Sequence, residues 1–267
     1  MKAKLRRITI DILIITFVSP LLILCIWSCL SSWPFPNLIP KNYSLRGLEY
    51  IFSSNNLSAL INSILISTIV VFITIIISIP SAKAITLYKF KGKKFFEMLI
   101  LSPIIIPLVS VSMGIYIMFI KFKIANTLTG VIIINILPCI PYGVRIIGDV
   151  YKLIGDKLEI QAKMLGASNI NTFRYITLPL IMPGIIGASS MCFIVSFSQY
   201  FLTMLIGGGK IITYPMIMFP YIQSGDRTIA SLYSLVFLII SIIVLIIIES
   251  IIKKYYKENE NVISTTY

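Results

Sequence analysis

Long uninterrupted runs of apolar residues are the feature that most restricts how this chain can fold. Six such runs alternate with polar segments, and each is about as long as the ~20 residues that a helix needs to cross a ~30 Å hydrocarbon core. Their predicted bounds are 8–30, 57–82, 97–120, 127–148, 181–205 and 229–252. A helix satisfies its own backbone hydrogen bonds in lipid. The sequence therefore predicts an all-α integral membrane protein with six transmembrane helices.

The composition agrees with this prediction. Hydrophobic residues make up 57% of the 267 residues and charged residues 12%, whereas soluble domains average about 45–50% and about 25%. The first apolar run is longer than the ~7–15-residue apolar region of a signal peptide, so we predict that it is retained as a span. Residues 1–56 are then an N-terminal span with an outside loop, 57–252 a transmembrane domain and 253–267 a tail.

Basic residues alternate between the polar segments. All but six of the 23 lysines and arginines fall in every second segment, the exceptions being Lys41, Arg46, Lys121, Lys123, Lys210 and Arg227. Cytoplasmic loops of membrane proteins carry such an excess of positive charge, so we predict that both termini are cytoplasmic. The same alternation spreads the net charge of +13 over several loops. We therefore expect contact with lipid and no nucleic-acid partner.

The ionisable and sulfur-containing residues argue against several function classes. The chain has no histidine, and its four cysteines lie in apolar runs, where we expect them to pack: Cys25, Cys29, Cys139 and Cys192. No Asp or Glu lies deep within any of the apolar runs. A proton- or sodium-driven carrier needs a carboxylate within the membrane, and an enzyme needs a cluster of catalytic groups. We therefore expect no catalytic residues, no metal site and no cofactor.

The glycine-rich stretch "IGGGKIIT" at 206–213 superficially resembles a phosphate-binding loop. Such a loop needs Ser or Thr directly after the lysine and a glycine further upstream. Here Ile211 follows Lys210, and Met204 stands where the first glycine belongs. We interpret the stretch as an outside turn, so that any ATP is bound by a partner subunit.

The segment "LEIQAKMLGASNINTFRYITLPL" at 158–180 interrupts the apolar runs with polar residues. Asp156 is placed to cap a first short helix, with Glu159 able to reach back to it. Gly166 then interrupts this helix, Ser168 caps a second one, and Pro179 ends the second helix before the next span.

The first of these helices carries an apolar stripe of Leu158, Ala162 and Leu165 at helical spacing. A stripe outside the lipid must be covered, either by the chain itself or by a groove on a partner. The residues alone leave both possibilities open.

The spacing A–x3–G–x9–I–x–L–P, met by Ala162, Gly166, Ile176, Leu178 and Pro179, resembles the Glu-Ala-Ala loop of binding-protein-dependent ABC importer permeases. "YKFKGKKFFEMLILSPIIIP" at 88–107, "ANTLTGVIIINILPCIPYGVRII" at 125–147 and "TLPLIMPGI" at 177–185 resemble other segments of that family. The likeness extends over about residues 57–250.

This resemblance implies a type I importer (MetI-like) fold with a cytoplasmic coupling helix in the loop 150–179. It implies a bacterial plasma-membrane permease subunit, not an enzyme, that forms half of a pathway for a small solute. Implied partners are two ATP-binding subunits, a solute-binding protein, and a second permease subunit or a second copy of this chain. The implied coupling residues are Glu159, Ile160, Gln161, Ala162, Leu165, Gly166, Ala167, Ile176 and Pro179.

One position departs from the family pattern. Ile160 stands where the motif has its glutamate, and Glu159 lies one residue earlier. One residue is about 100° around a helix, so whether Glu159 replaces the acidic contact is left open.

Polar residues of the fifth run have two interpretations. Ser196, Gln199 and Thr203 recur at helical spacing on one face, and the resemblance favours a role in lining the translocation path. Hydrogen bonding between helices is the alternative, and we favour it for Asn62 and Asn135.

The substrate is predicted only from overall likeness, which favours the polyamine, thiamine and ferric-iron branch of the family. We expect a polyamine-like or other small organic cation. Alternatives are a substrate of the sugar branch or, from another class, a membrane-embedded enzyme or assembly factor without an ATPase partner.

Overall fold

The computed structural model describes residues 2–29, 50–51 and 53–264. Most of the predicted outside segment at 31–56, with Lys41 and Arg46, lies outside the described residues. Every regular element in the described part is helical. The helices are α1 Lys2–Ser28, α2 Ser54–Leu87, α3 Lys93–Ile105, α4 Leu108–Lys121, α5 Leu128–Ile154, α6 Lys157–Met164, α7 Asn169–Thr172, α8 Leu178–Phe197, α9 Phe201–Gly207, α10 Tyr214–Ser224 and α11 Arg227–Ser264, with a π-helical segment Phe173–Thr177 between α7 and α8.

Four stretches of the described chain are long and apolar enough to span a membrane, namely Asn55–Leu87, Leu128–Ile154, Asn169–Phe197 and Arg227–Ile252. The pair α3 and α4 together forms a fifth, bent span if it is counted as one. In α1 the apolar stretch Ile12–Ser28 is shorter. The prediction of an all-α membrane protein is confirmed, whereas the count of six spans is not.

The predicted third span is broken by proline. α3 and α4 meet at an angle of 105°, and Ile106 and Pro107 between them are extended. A residue that precedes proline is disfavoured in the helical region, which explains why α3 ends there. Pro103, by contrast, lies within α3.

The described residues belong to two compact units. One contains the described residues within Met1–Ile61 and Tyr214–Ser241, and the other those within Asn62–Thr213 and Ile242–Tyr267. In the first unit Tyr214 and Tyr233 are buried with ring centroids 5.4 Å apart.

The second unit is built on the packing of α5 against α8. One buried cluster includes Val131, Ile134, Cys139, Cys192 and Ile206, and another includes Ala82, Val144, Ile147, Ile181 and Ala188. Each buried cysteine of α5 and α8 donates its Sγ–H to the other's carbonyl oxygen at 3.5 Å. The predicted packing role is thus confirmed for these two, while Cys25 and Cys29 are exposed.

A glycine lets α2 and α5 approach closely. A Cβ on Gly143 would lie 2.3 Å from Ser78 Oγ and 3.0 Å from Ser78 Cβ, with Thr74 Cγ2 at 3.3 Å. Small residues at helix crossings are the usual means of close packing in membranes. The crossing therefore has no room for a side chain at position 143.

We predict that Gly143→Val destabilises the protein by about 1–3 kcal/mol, because overpacking forces the two helices apart. Gly114→Val is the matched control, since a Cβ at Gly114 of α4 meets no atom within 4 Å. Thermal unfolding in detergent compares the two variants. Equal unfolding temperatures would contradict the close crossing.

Candidate functional site

Helix α6 begins directly after a turn at the end of α5. Gly155 has a φ of 70°, a conformation that glycine adopts readily, and the chain leaves α5 there. The predicted cap of α6 is wrong: Asp156 occupies the N-cap position but makes no side-chain capping hydrogen bond. Glu159 does not reach back because its carboxylate is held elsewhere.

The turn at Gly166 is a Schellman motif. The Ala167 N–H donates to the Ala162 carbonyl and the Gly166 N–H to the Lys163 carbonyl, both at 3.0 Å, which is the hydrogen-bond pattern of that motif. Gly166 has a φ of 88°, in the left-handed region, where a residue with a Cβ atom is sterically disfavoured. The motif spacing A–x3–G therefore has a structural reason: Ala162 provides the carbonyl that accepts the Schellman hydrogen bond, and Gly166, four residues later, adopts the left-handed conformation.

The second helix of the segment starts as predicted and ends differently. The Ser168 hydroxyl accepts the Asn171 N–H at 3.3 Å, so the predicted cap is confirmed. Pro179 does not end this helix: α7, the π-helical segment and α8 run on continuously, with Pro179 in the first turn of α8. The π-helical segment directly before Pro179 interrupts the α-helical hydrogen-bond pattern, with the Leu178 N–H donating to the Phe173 carbonyl five residues back. Such π-helical turns are a known local irregularity of helices, and the missing N–H of Pro179 falls where the regular pattern is already broken.

Glu159 faces the interior of the protein. Its carboxylate accepts hydrogen bonds from Lys83 Nζ at 2.5 Å and from Thr177 Oγ1 at 2.6 Å, and the residue is only 8% exposed. Lys83 belongs to α2, and Thr177 ends the π-helical segment. One carboxylate therefore ties α6 to two other elements of the same chain.

The charge of Glu159 is stabilised by these partners. Burial alone raises the pKa of the carboxyl, but hydrogen bonds from Lys83 and Thr177, together with the positive charges of Lys83 and Lys163, outweigh it. The pKa of Glu159 therefore lies below its ordinary value, and the group is ionised at neutral pH.

The opposite side of the segment exposes apolar side chains. Met164, Leu165 and Ile170 are 82%, 89% and 77% exposed. Met164 and Leu165 lie outside the candidate spans, and Ile170 lies in the first turn of the stretch Asn169–Phe197. In water, such apolar groups gain by being covered. Ile160, at the motif's acidic position, is also exposed. Leu165 is therefore part of a free apolar surface, which we name the turn surface: Ile160, Met164, Leu165 and Ile170.

The remaining predicted coupling residues divide between this surface and the interior. Ala162 is buried, so the predicted stripe with Leu158 and Leu165 is not one exposed face. Gln161 is exposed, while Ala167, Ile176 and Pro179 are half-buried.

The sequence did not indicate the two partners of Glu159. Lys83 lies 76 residues away along the chain. In the sequence it is one of several lysines close together, and nothing distinguishes it from the others. Thr177 lies within the polar segment, but no spacing rule relates it to Glu159.

The predicted path residues come together for a different reason from the one expected. The fifth run is not one continuous helix, because α8 ends at Phe197 and α9 begins at Phe201. The prediction that Ser196, Gln199 and Thr203 share one face of a continuous helix is therefore wrong. All three nevertheless line one small cavity.

Asn135 borders the same cavity. Its Nδ2 donates to Thr203 Oγ1 at 3.1 Å and to the Val131 carbonyl at 2.9 Å. Asn135 and Thr203 are buried, so within this chain they join α5 to α9, as predicted for Asn135. Whether Ser196, Gln199 and Thr203 also meet the solute stays a prediction.

We predict that Glu159→Gln lowers the free energy of unfolding by about 1–3 kcal/mol at neutral pH, because a charge-assisted hydrogen bond is lost and Lys83 keeps no counter-charge. The folded-state pKa lies below the unfolded value of about 4.3, so the advantage of the wild type is complete above that pH. It disappears as the pH falls through the folded-state pKa.

Denaturation at several pH values measures this difference. Asp149→Asn is the matched control, because it breaks the pair of Asp149 and Lys152, whose side chains are 58% and 67% exposed and contribute little to stability. A penalty for Glu159→Gln that did not vary with pH would contradict the ion pair.

Comparison with known proteins identifies the family. The family model described as "Binding-protein-dependent transport system inner membrane component" matches residues 69–257. The chain is 24% identical over 243 residues to the putative 2-aminoethylphosphonate transport system permease protein PhnV of Salmonella typhimurium. This alignment covers 90% of the present chain and 91% of the relative. It is 20% identical over 215 residues to the spermidine/putrescine transport system permease protein PotC of Haemophilus influenzae, covering 80% and 84%.

A solved structure shows the same fold. A chain of a bacterial ABC transporter involved in the import of the acidic polysaccharide alginate superposes with a TM-score of 0.71 over 95% of each chain, at 16% identity. The described helices therefore adopt the MetI-like permease fold. This chain belongs to the family of binding-protein-dependent transport system inner membrane components, the permease subunits of ABC transporters.

Proposed function

We propose that this permease forms half of a solute path through a bacterial plasma membrane and is driven by ATP-binding subunits that dock on the turn surface. The observation that carries the proposal is the exposure of Met164, Leu165 and Ile170 around the Gly166 turn. The backbone hydrogen bonds of the Schellman motif define the turn that follows Met164 and Leu165, and a partner groove would remove the exposed side chains from water. The family supports the kind of partner, because its members belong to binding-protein-dependent transport systems.

The burial of Glu159 suggests how the coupling residues divide their work. Glu159 holds α6 against α2 and the π-helical segment, whereas Ile160 is free to meet the partner. We propose that an apolar contact at Ile160 takes the place of the acidic contact expected from the motif. Gln161, Leu165, Gly166 and Ala167 then form the rest of the docking region, while Ala162, Ile176 and Pro179 support it from within.

The proposed assembly contains two ATP-binding subunits, a second permease subunit or a second copy of this chain, and a solute-binding protein on the outside. Closure of the ATP-binding pair would draw the two turn surfaces together. Because Glu159 joins the docking helix to α2 and to the segment leading into α8, such a movement would pass to the spans as a rigid-body rotation. Both termini are proposed to be cytoplasmic, from the distribution of the basic residues.

We propose a small organic amine as the substrate. The spermidine/putrescine relative supports an amine, and 2-aminoethylphosphonate also carries one. Thiamine and ferric iron come only from the branch-level likeness, and the alginate transporter shares only the fold at 16% identity. The membrane-embedded enzyme considered from the sequence finds no support, because the family consists of transport subunits.

We predict that Leu165→Asp weakens binding of the ATP-binding subunit roughly 5- to 150-fold, because burying an unpartnered polar group at the interface costs about 1–3 kcal/mol. Leu153→Asp is the matched control, since Leu153 is 87% exposed but lies at the end of α5. Co-purification of the ATP-binding subunit from membranes measures both variants. Retention of the subunit by Leu165→Asp would rule out docking on the turn surface.

The substrate proposal is tested by transport. We expect vesicles that contain the complete importer to take up putrescine, spermidine or 2-aminoethylphosphonate in an ATP-dependent way. Ferric iron and a neutral disaccharide serve as the comparison solutes. Uptake of a comparison solute without uptake of any amine would contradict the proposal while leaving the docking surface untouched.

A further inference from the structure

A second site of different chemistry lies between α2, α3 and α5. A cavity of about 450 Å³ opens there, and three cations line it: Lys93, Arg145 and Lys152. Lys93 begins α3 and Lys152 lies in the last turn of α5. The cavity is therefore at the membrane face that carries the basic loops, away from the small polar cavity at Ser196.

Of the three cations, Arg145 gives the strongest indication of an anionic ligand. It lies in the spanning helix α5, three residues before the predicted end of that span at 148, and it is exposed. An arginine in a spanning helix is costly unless it meets an anion or water. Among the described residues no carboxylate lies within ion-pair distance of Arg145, so its counter-charge is not provided by that part of the chain.

The other charges of the cavity leave a positive excess. Lys152 is paired with Asp149 at 2.7 Å, and Lys93 donates only to the Tyr88 carbonyl at 3.4 Å. Glu97 also lines the cavity and supplies one negative charge. Lys93 and Arg145 together therefore exceed Glu97 by one unit, which favours an anionic occupant.

The wall of the cavity is apolar. Ile85, Ile100, Pro141 and Val144 line it beside the cations. A free inorganic anion gains nothing from such a wall, whereas the upper part of an acyl chain does. Basic clefts between transmembrane helices near the cytoplasmic face are suited to phospholipid headgroups.

We propose that this cavity binds one anionic phospholipid, with its phosphodiester between Lys93 and Arg145 and its acyl chain along Ile100, Pro141 and Val144. Glu97 is suited to accept a hydrogen bond from a hydroxyl of the headgroup, which makes phosphatidylglycerol the best match. The lipid acts as a wedge between α3 and α5 and neutralises Arg145. The site goes beyond the transport role and does not depend on docking of an ATPase.

Native mass spectrometry of the full-length chain in neutral detergent tests the proposal, with phosphatidylglycerol and phosphatidylcholine as probes. We expect the wild type to retain phosphatidylglycerol in preference to phosphatidylcholine. The double variant Lys93→Gln/Arg145→Gln should weaken that binding roughly 25-fold, because each cation near an anionic lipid contributes a factor of roughly five.

Lys91→Gln/Lys94→Gln is the matched control. It removes the same charge from exposed positions of the neighbouring loop that do not line the cavity, and we expect it to bind as the wild type does. Equal loss in the two double variants would show general surface attraction and overturn the site. Thermal unfolding of both variants checks that neither result comes from misfolding.

Two further measurements separate other occupants. Excess inorganic phosphate should not displace the lipid, and displacement would assign the cavity to a free anion. The assembled importer should retain the lipid as the isolated chain does. Exclusion of the lipid on assembly would assign the cavity to a subunit interface, and either result would overturn the proposal.

Discussion

Hydrocarbon offers no hydrogen-bond partner to a backbone N–H or C=O group, and the rest of this structure depends on that constraint. The spanning stretches are helical because a helix supplies those partners from within. Where the helices break, at Pro107 and between α8 and α9, the chain needs other support. The second of these breaks lies beside the polar cavity of Asn135 and Thr203. Within the described residues, the segment that follows α5 leaves the apolar pattern for long enough to build a polar structure of its own, and that segment is the candidate docking region.

The proposed docking region has two sides that differ in their contacts. Its inner side is held by the carboxylate of Glu159, which accepts hydrogen bonds from Lys83 and Thr177. Its outer side is held in shape by the backbone hydrogen bonds around Gly166 and presents Met164 and Leu165. In the proposed docking, the inner side anchors the region to the spans and the outer side contacts the partner. Of the two adjacent residues, Glu159 belongs to the inner side and Ile160 to the outer side.

Much of this arrangement could be predicted from local patterns. Four long apolar helices follow from run length, the turn at Gly166 from the motif spacing, and the start of α7 from a serine at the N-cap position. The errors come from positions where several outcomes are locally possible. The capping box expected from Asp156 and Glu159 does not form: Asp156 makes no capping hydrogen bond, and the Glu159 carboxylate accepts from Lys83 instead. Pro179 could end a helix, but it follows a π-helical segment through which the helix continues. Ser196 and Thr203 meet through a helix break, which the spacing rule for a continuous helix does not foresee.

The sequence by itself determined that this is a membrane protein, that its described elements are helical and where a polar segment interrupts the apolar runs, because apolar run length and glycine spacing act over a few residues. It also carried enough of the family pattern for the resemblance to be confirmed by comparison. Only the tertiary structure decided which way Glu159 faces, which cations around Arg145 share a cavity and which apolar residues remain uncovered. Those outcomes depend on partners up to 76 residues away along the chain, and contacts of that kind form only when the helices have packed.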